Sequence, residues 1–120
     1  MFNATCQSEL KEFLKDRISL SESTRANYAR GEDTYDPILS QAVAFPESNE
    51  EVSKILKICN KYKIPVVPFG TGTSLEGNVV GNENGITISL EKMNKILSVN
   101  AEDFDCRVQA CVTKEQLNEY

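Results

Sequence analysis

An α/β chain is what the residue pattern describes. A short apolar run at residues 41–45 closes on Pro46, an amphipathic stretch follows from Val52 to Tyr62, and a second apolar run fills residues 64–69. Two strands joined through a helix of about a dozen residues lie parallel, and such a crossover is right-handed. The βαβ unit is therefore the nucleus of the expected fold, with further short strands beside it. At 120 residues the chain is about one small domain. Its 40% hydrophobic and 26% charged residues are the composition of a protein that buries a core.

From the N-terminus, Leu10, Phe13, Leu14 and Ile18 recur at near-helical spacing with Lys11, Glu12, Lys15 and Asp16 turned outward, which predicts a short amphipathic helix. Residues 19–37 lose that period among Ser19, Ser21, Ser23, Asn27, Gly31, Asp33, Asp36 and Pro37. They read as a long ordered loop with one helical turn near Thr24 to Tyr28. The strand at 41–45 ends where Pro46 removes a backbone donor. Ser48 and Glu51 have capping-box spacing, Ser48 accepting from the first-turn amides and Glu51 reaching back to the cap amide. Val52, Ile55, Leu56, Cys59 and Tyr62 then line one helical face. Acids open this helix and Lys54, Lys57, Lys61 and Lys63 gather toward its end, in the sense that complements the macrodipole. It stops before Pro65, because a residue preceding proline avoids the α region. Residues 64–69 read as a second buried strand, Asn84 and Gly85 as a turn, and residues 86–90 alternate apolar and polar as a half-buried strand does. Residues 93–99 turn into another short strand and 106–110 supply a last one. Thr113 and Gln116 repeat the capping-box spacing, with Leu117 opening a further helix.

Charge and residue usage exclude several functions. Thirteen basic residues against 18 acidic ones leave a formal charge of −5, so no basic field awaits a phosphate backbone and nucleic acid is not the expected partner. Histidine is absent from the sequence, which removes the commonest general base and metal ligand. Cys6, Cys59, Cys106 and Cys111 contain no C-x-x-C pair and suggest neither a metal cluster nor a disulfide framework. Glu9, Glu12 and Asp16 near the start are unlike a presequence, and no apolar run approaches the ~20 residues of a transmembrane segment. The setting expected is cytoplasmic, or peripheral to the inner membrane, with free thiols. Of the paired acids, Glu50 and Glu51 are explained by capping and Asp103 and Asp105 by an exposed loop, so the catalytic residues stay unknown. Tyr28 and Tyr35 fit two roles equally, stacking at a cofactor edge or anchoring a long loop.

The loop that carries chemistry follows the second strand directly. Gly70, Gly72 and Gly77 with Thr71, Thr73 and Ser74 let the backbone approach a ligand closely while amides and hydroxyls turn toward an anion, and a phosphate or pyrophosphate is the natural guest. A Rossmann G-x-G-x-x-G fails because Leu75 stands where the third glycine belongs. A P-loop fails because Asn78 and Val79 replace its Lys and Ser/Thr. The bland alternative is a glycine-rich turn with no ligand.

Three segments in order add specificity: residues 45–52 around Pro46 and Ser48, residues 64–77 from Ile64 to Gly77, and Met93, Asn94, Lys95, Ile96 and Leu97. Together they resemble the FAD-binding domain of the vanillyl-alcohol oxidase and p-cresol methylhydroxylase (PCMH) type, and within it the D-lactate dehydrogenase (cytochrome) and glycolate oxidase flavoprotein group. The resemblance implies an α/β (α+β) N-terminal lobe of a two-lobed FAD-binding domain. Residues 1–23 would then form an N-terminal helix and linker, and residues 24–120 a partial FAD-binding domain at the front of a longer protein. It further implies that Gly70, Thr71, Gly72, Thr73 and Ser74 hold the FAD pyrophosphate through backbone amides while Gly77 keeps the turn tight. Some relatives bond flavin to a histidine in this loop. Thr73 stands at that position here, so FAD would be noncovalent. The implied activity is oxidation of a small 2-hydroxy acid, D-lactate or glycolate, with electrons passed to an acceptor such as a cytochrome or quinone. The rival is a noncatalytic module that keeps the βαβ lobe without a working flavin site. Cys111 departs from the family, which commonly has glycine there.

The thiols give a first prediction. Four should titrate after unfolding without reductant, and Cys59, on the apolar helix face, should resist labelling in the native protein. Rapid native modification of Cys59, or fewer than four thiols after unfolding, would contradict it.

Overall fold

The computed structural model describes residues 2–120, so the first residue of the N-terminal segment lies outside the described residues. Helix α1 (Ala4–Leu14) passes through a 3₁₀ turn (Lys15–Arg17) into a two-residue strand β1 (Ile18–Ser19). Then come α2 (Glu22–Asn27), β2 (Ala42–Ala44), α3 (Asn49–Lys61), β3 (Val66–Phe69), β4 (Ile86–Ser89), β5 (Ile96–Asn100), β6 (Asp105–Val108) and α4 (Lys114–Glu119). Among the described residues no helix is long and apolar enough to cross a membrane.

The α/β expectation holds, with a change of neighbours. The main sheet runs β1, β2, β4, β3, so the chain crosses from β2 through α3 to β3 and leaves a place that β4 later fills. Both β2 and β3 are parallel to β4, with Ala42 and Val66 each in register with Ile86. Residue chemistry explains the order. Pro68 lacks a donor, which suits β3 to the edge, and of β3 only Phe69 is buried. The buried strand expected at 64–69 is thus a half-exposed edge. In contrast β4, expected to be half-buried, is buried at all four residues: Ile86 and Ile88 face the core shared with α1 and α3, and Thr87, on the opposite face, meets buried Ser40. Its polar positions are tolerable because they are small and partnered: the hydroxyls of Thr87 and Ser40 hydrogen-bond at 2.8 Å.

Residues 18 and 19, read above as the end of a helix and the start of a loop, pair antiparallel with Ala44 and Val43. The helical turn expected near Thr24 is α2, capped by the Ser21 hydroxyl accepting from the Thr24 amide. A separate two-stranded antiparallel sheet joins β5 to β6, where Leu97, Val99 and Phe104 stay exposed.

Cys6, Leu10, Leu14 and Ile18 from the N-terminal segment share one hydrophobic core with Ile55 and Cys59 of α3 and with Ile86 and Ile88 of β4. On α3 the buried stripe is narrower than the sequence suggests, since Leu56 is 46% exposed. Cys59 is buried, and burial first, then the neighbouring Cys6, pushes its thiol up to about 12. It is a packing residue rather than a nucleophile.

Both capping boxes are half-formed. Ser48 Oγ accepts from the Glu51 amide at 3.3 Å, but the Glu51 carboxylate accepts from the Glu47 amide at 2.7 Å instead of the cap amide. The reason is Arg17, whose Nη1 and Nη2 each donate to one Glu51 oxygen at 2.6 Å while Nη1 also reaches the Phe45 carbonyl. Likewise Thr113 caps the Gln116 amide, yet the Gln116 side chain donates to the Asn94 carbonyl at 2.6 Å.

The Arg17 and Glu51 side chains are only 21% and 20% exposed. Arg17→Met should therefore cost about 2 kcal/mol, between the exposed and buried limits for an ion pair. Arg17 holds the Glu51 carboxyl below its ordinary 4.5, chiefly by direct hydrogen bonding. A carboxylate depressed in the folded state stabilises above its unfolded pKa and loses that contribution as pH falls through the folded value. The gap in thermal midpoint between native protein and Arg17→Met should accordingly be full at neutral pH and close on acidification well below pH 4.5. A gap independent of pH would rule the ion pair out as its cause.

Candidate functional site

Three parallel strands, β2, β4 and β3, bring their carboxyl ends to one edge of the sheet, the side on which open α/β sheets bind ligands. Phe45, Phe69 and Ser89 mark that brim. From β3 the chain enters the glycine loop at residue 70, and backbone conformation dictates two of its glycines. Gly72 and Gly77 both have φ of +76°. A Cβ on Gly72 would stand 2.5 Å from Cζ of Phe69, and one on Gly77 would stand 2.9 Å from the Tyr35 ring. Side chains are excluded at both by the rings packed against the loop, which leaves its backbone thin there. Gly70 differs, since a Cβ there would meet open space.

The segment following α2 supports the loop from behind. Gly31 lies so close that a Cβ would stand 2.8 Å from the Ser74 carbonyl and 2.6 Å from Val79. Within the loop, the Thr71 and Thr73 hydroxyls share one hydrogen bond at 3.2 Å, and Ser74 Oγ donates to Asn78 at 2.8 Å. A hydroxyl carries one proton. The threonine pair uses one on itself and keeps one for an acceptor, whereas the Ser74 proton is engaged within the loop. Thr71 and Thr73 are exposed.

Gly70 and Thr71 form one wall of an open cleft of about 470 Å³, with Cys111 and Thr113 opposite. The opposite wall is set by the Cys111 amide, which donates to the Met93 carbonyl at 2.9 Å. Met93 is buried, which anchors that turn. Tyr28 and Glu91 also line the cleft. The Tyr28 ring makes edge contacts with Phe45 at 5.5 Å and Phe69 at 5.0 Å between centroids. Its hydroxyl donates to Glu91, which Ser89 Oγ also reaches at 3.2 Å. Burial first, and the bond to Glu91 second, push the Tyr28 phenol up to about 12, so it remains a donor through the neutral range.

Of the residues singled out from sequence, Gly70 and Thr71 border the cleft, while Gly72, Ser74 and Gly77 pack against residues 31–35 and Phe69. Tyr28 and Tyr35 separate into two roles, one lining the cleft and the other filling space beside Gly77. The paired acids stay out of it: Glu51 is bound by Arg17, and Asp105 accepts from Asn100 at 2.6 Å in the hairpin. Glu91 was not foreseen. Its signal is positional, a polar residue two places beyond a buried strand that ends at the carboxyl brim of the sheet.

Comparisons with known proteins give the family and the fold. The chain is 41% identical over 103 residues to a probable mitochondrial D-lactate dehydrogenase of Danio rerio, covering 86% of this chain and 21% of that protein. It is 36% identical over 115 residues to the mitochondrial D-lactate dehydrogenase [cytochrome] of Arabidopsis thaliana, covering 94% and 20%. The chain thus spans about a fifth of the length of the curated relatives it matches. Among solved structures an alkyldihydroxyacetonephosphate synthase superposes with a TM-score of 0.89 over 99% of this chain and 24% of that one, at 21% identity, which speaks for the fold alone. A family described as "FAD binding domain" matches residues 40–120, from two residues before β2 through the glycine loop and both walls of the cleft, and to that family the chain belongs.

Proposed function

We propose that the chain supplies the pyrophosphate-binding lobe of an FAD-dependent oxidoreductase that converts a small D-2-hydroxy acid, D-lactate or glycolate, to the 2-oxo acid. Its electrons go to an acceptor such as a cytochrome or quinone, and the location that accompanies this reading is cytoplasmic, peripheral to an inner membrane holding that acceptor. The observation that carries the proposal is the thin glycine loop at the carboxyl brim of three parallel strands, in a chain of the FAD binding domain family.

The residues suit the cofactor. At Gly72 and Gly77 the backbone takes a conformation closed to other side chains, and what a Cβ would fill is occupied by rings that hold the loop from its inner side. Gly70, Thr71, Gly72, Thr73 and Ser74 would hold the pyrophosphate, backbone amides meeting its charge and the threonine pair adding one O–H, while Gly77 would keep the turn tight. With Thr73 at the position where some relatives carry histidine, retention is noncovalent. FAD, when bound, supplies two-electron redox chemistry that these side chains do not offer. The chain's own part is to bind and orient. Residues 24–120 form the cofactor lobe, and residues 1–23 buttress it through α1 and Arg17. The group that takes the substrate's hydroxyl proton is not assigned to any residue of this chain.

Three measurements on the full-length gene product test this. Acid precipitation should release the flavin intact and leave a colourless pellet, and yellow retained in washed protein would defeat the noncovalent claim. Gly72→Val, strained at φ +76° and set against Phe69, should cost 1–3 kcal/mol of local strain. FAD affinity should fall about tenfold with the circular dichroism unchanged, and unaltered affinity would remove the loop from the site. Dye reduction should follow addition of D-lactate or glycolate, and inactivity of flavin-replete protein toward both would refute the substrate class.

A further inference from the structure

Glu91 is the one charged side chain among the residues lining the cleft that Gly70 and Thr71 border. It is exposed, and it sits where a bound diphosphate would bring more negative charge. A carboxylate loose in that position would oppose the anion, since like charges at short range repel even through water. The structure does not leave it loose. One oxygen, Oε1, accepts from both the Tyr28 phenol and Ser89 Oγ. Both donors are themselves fixed: Ser89 is fully buried at the end of the central strand, and the Tyr28 ring is wedged edge-on between Phe45 and Phe69.

We infer that Tyr28 is a positioning residue that tethers the Glu91 carboxylate by hydrogen bonding, so that its charge does not compete with the anion held by the glycine loop. The inference rests on the FAD reading above and adds a residue and a mechanism to it. The phenol acts on the cofactor through Glu91 and not by contact. Ser89 alone would leave Glu91 with a single side-chain donor, at 3.2 Å. The arrangement also explains why a long polar segment, residues 28–40, returns to the brim: its first residue carries the tether and Gly31 supports the loop the tether protects.

The test is FAD affinity of the full-length apoprotein, read from quenching of flavin fluorescence at low and high KCl. Tyr28→Phe keeps both ring contacts and loses only the donor. It should weaken FAD binding about fivefold at low ionic strength and less than about twofold near 1 M, where the Debye length falls to about 3 Å. Glu91→Gln should bind FAD at least as well as the native protein, and Tyr28→Phe combined with Glu91→Gln should return to within about twofold of it. A thermal midpoint close to native certifies that Tyr28→Phe is folded. Native affinity in Tyr28→Phe overturns the inference, and so does a loss that persists in high salt or in the Glu91→Gln background, since packing alone would produce that. Gly72→Val, measured alongside, separates the two levels: if it binds FAD normally the loop site itself falls, and if it fails while Tyr28→Phe matches native, only the tether falls.

Discussion

Everything at the functional edge depends on β4 being inserted between β2 and β3. A strand buried on both faces accepts no charge and must partner each polar atom. The Ile86, Thr87, Ile88 and Ser89 sequence meets that condition with two hydroxyls, one of them paired with Ser40. Because both flanking strands run parallel to it, their carboxyl ends stop level with its own. That levelling brings Phe45, Phe69 and Ser89 together, and with them the glycine loop, Tyr28 and Glu91. Had β3 paired directly with β2, β4 would fall to the sheet edge and Ser89 and Glu91 would lie one strand away from Phe45.

The N-terminal segment is bound into this arrangement by the pairing of β1 with β2 and at two further places. Apolar side chains of α1 enter the same core as α3 and β4, and Arg17 links three pieces of chain through Glu51, Glu47 and the Phe45 carbonyl. The second link matters for the site because Phe45 closes β2 at the brim and meets Tyr28. The Arg17 ion pair thereby helps to fix one of the two rings that hold the tether.

What could be read from the sequence follows from how local each signal is. Helix α3, its Ser48 cap and its stop before Pro65 depend on neighbours within a few residues, and all were legible. So was the glycine loop, since φ above zero at Gly72 and Gly77 is written as glycine. The strand order was not, because it turns on comparing Pro68 in β3 with the hydroxyls of β4, about 20 residues apart. The capping boxes misled for a related reason. Glu51 and Gln116 have the right spacing, but Arg17 and the Asn94 carbonyl compete for them from elsewhere in the chain. Glu91 was missed because its place just beyond β4 gains meaning only once the strand order is known, and its partner Tyr28 lies 63 residues away.

Phe69 shows why loop and core behave as one unit. Its ring is buried at the end of β3, occupies the space that a Cβ on Gly72 would need, and supplies one of the two edges against which Tyr28 rests. Its backbone carbonyl also accepts from the Leu90 amide at 2.9 Å, joining β3 to the turn that presents Glu91. A smaller residue at 69 would therefore act on three features at once: it would open space beneath Gly72, release one side of the tyrosine and leave a cavity at the strand end. Conversely, a flexible loop with more open glycines would gain nothing, because ordering it on a ligand would cost affinity. At the two left-handed positions a buried aromatic packs against one and Tyr35 against the other, which makes the loop's shape a consequence of packing already complete before any ligand arrives.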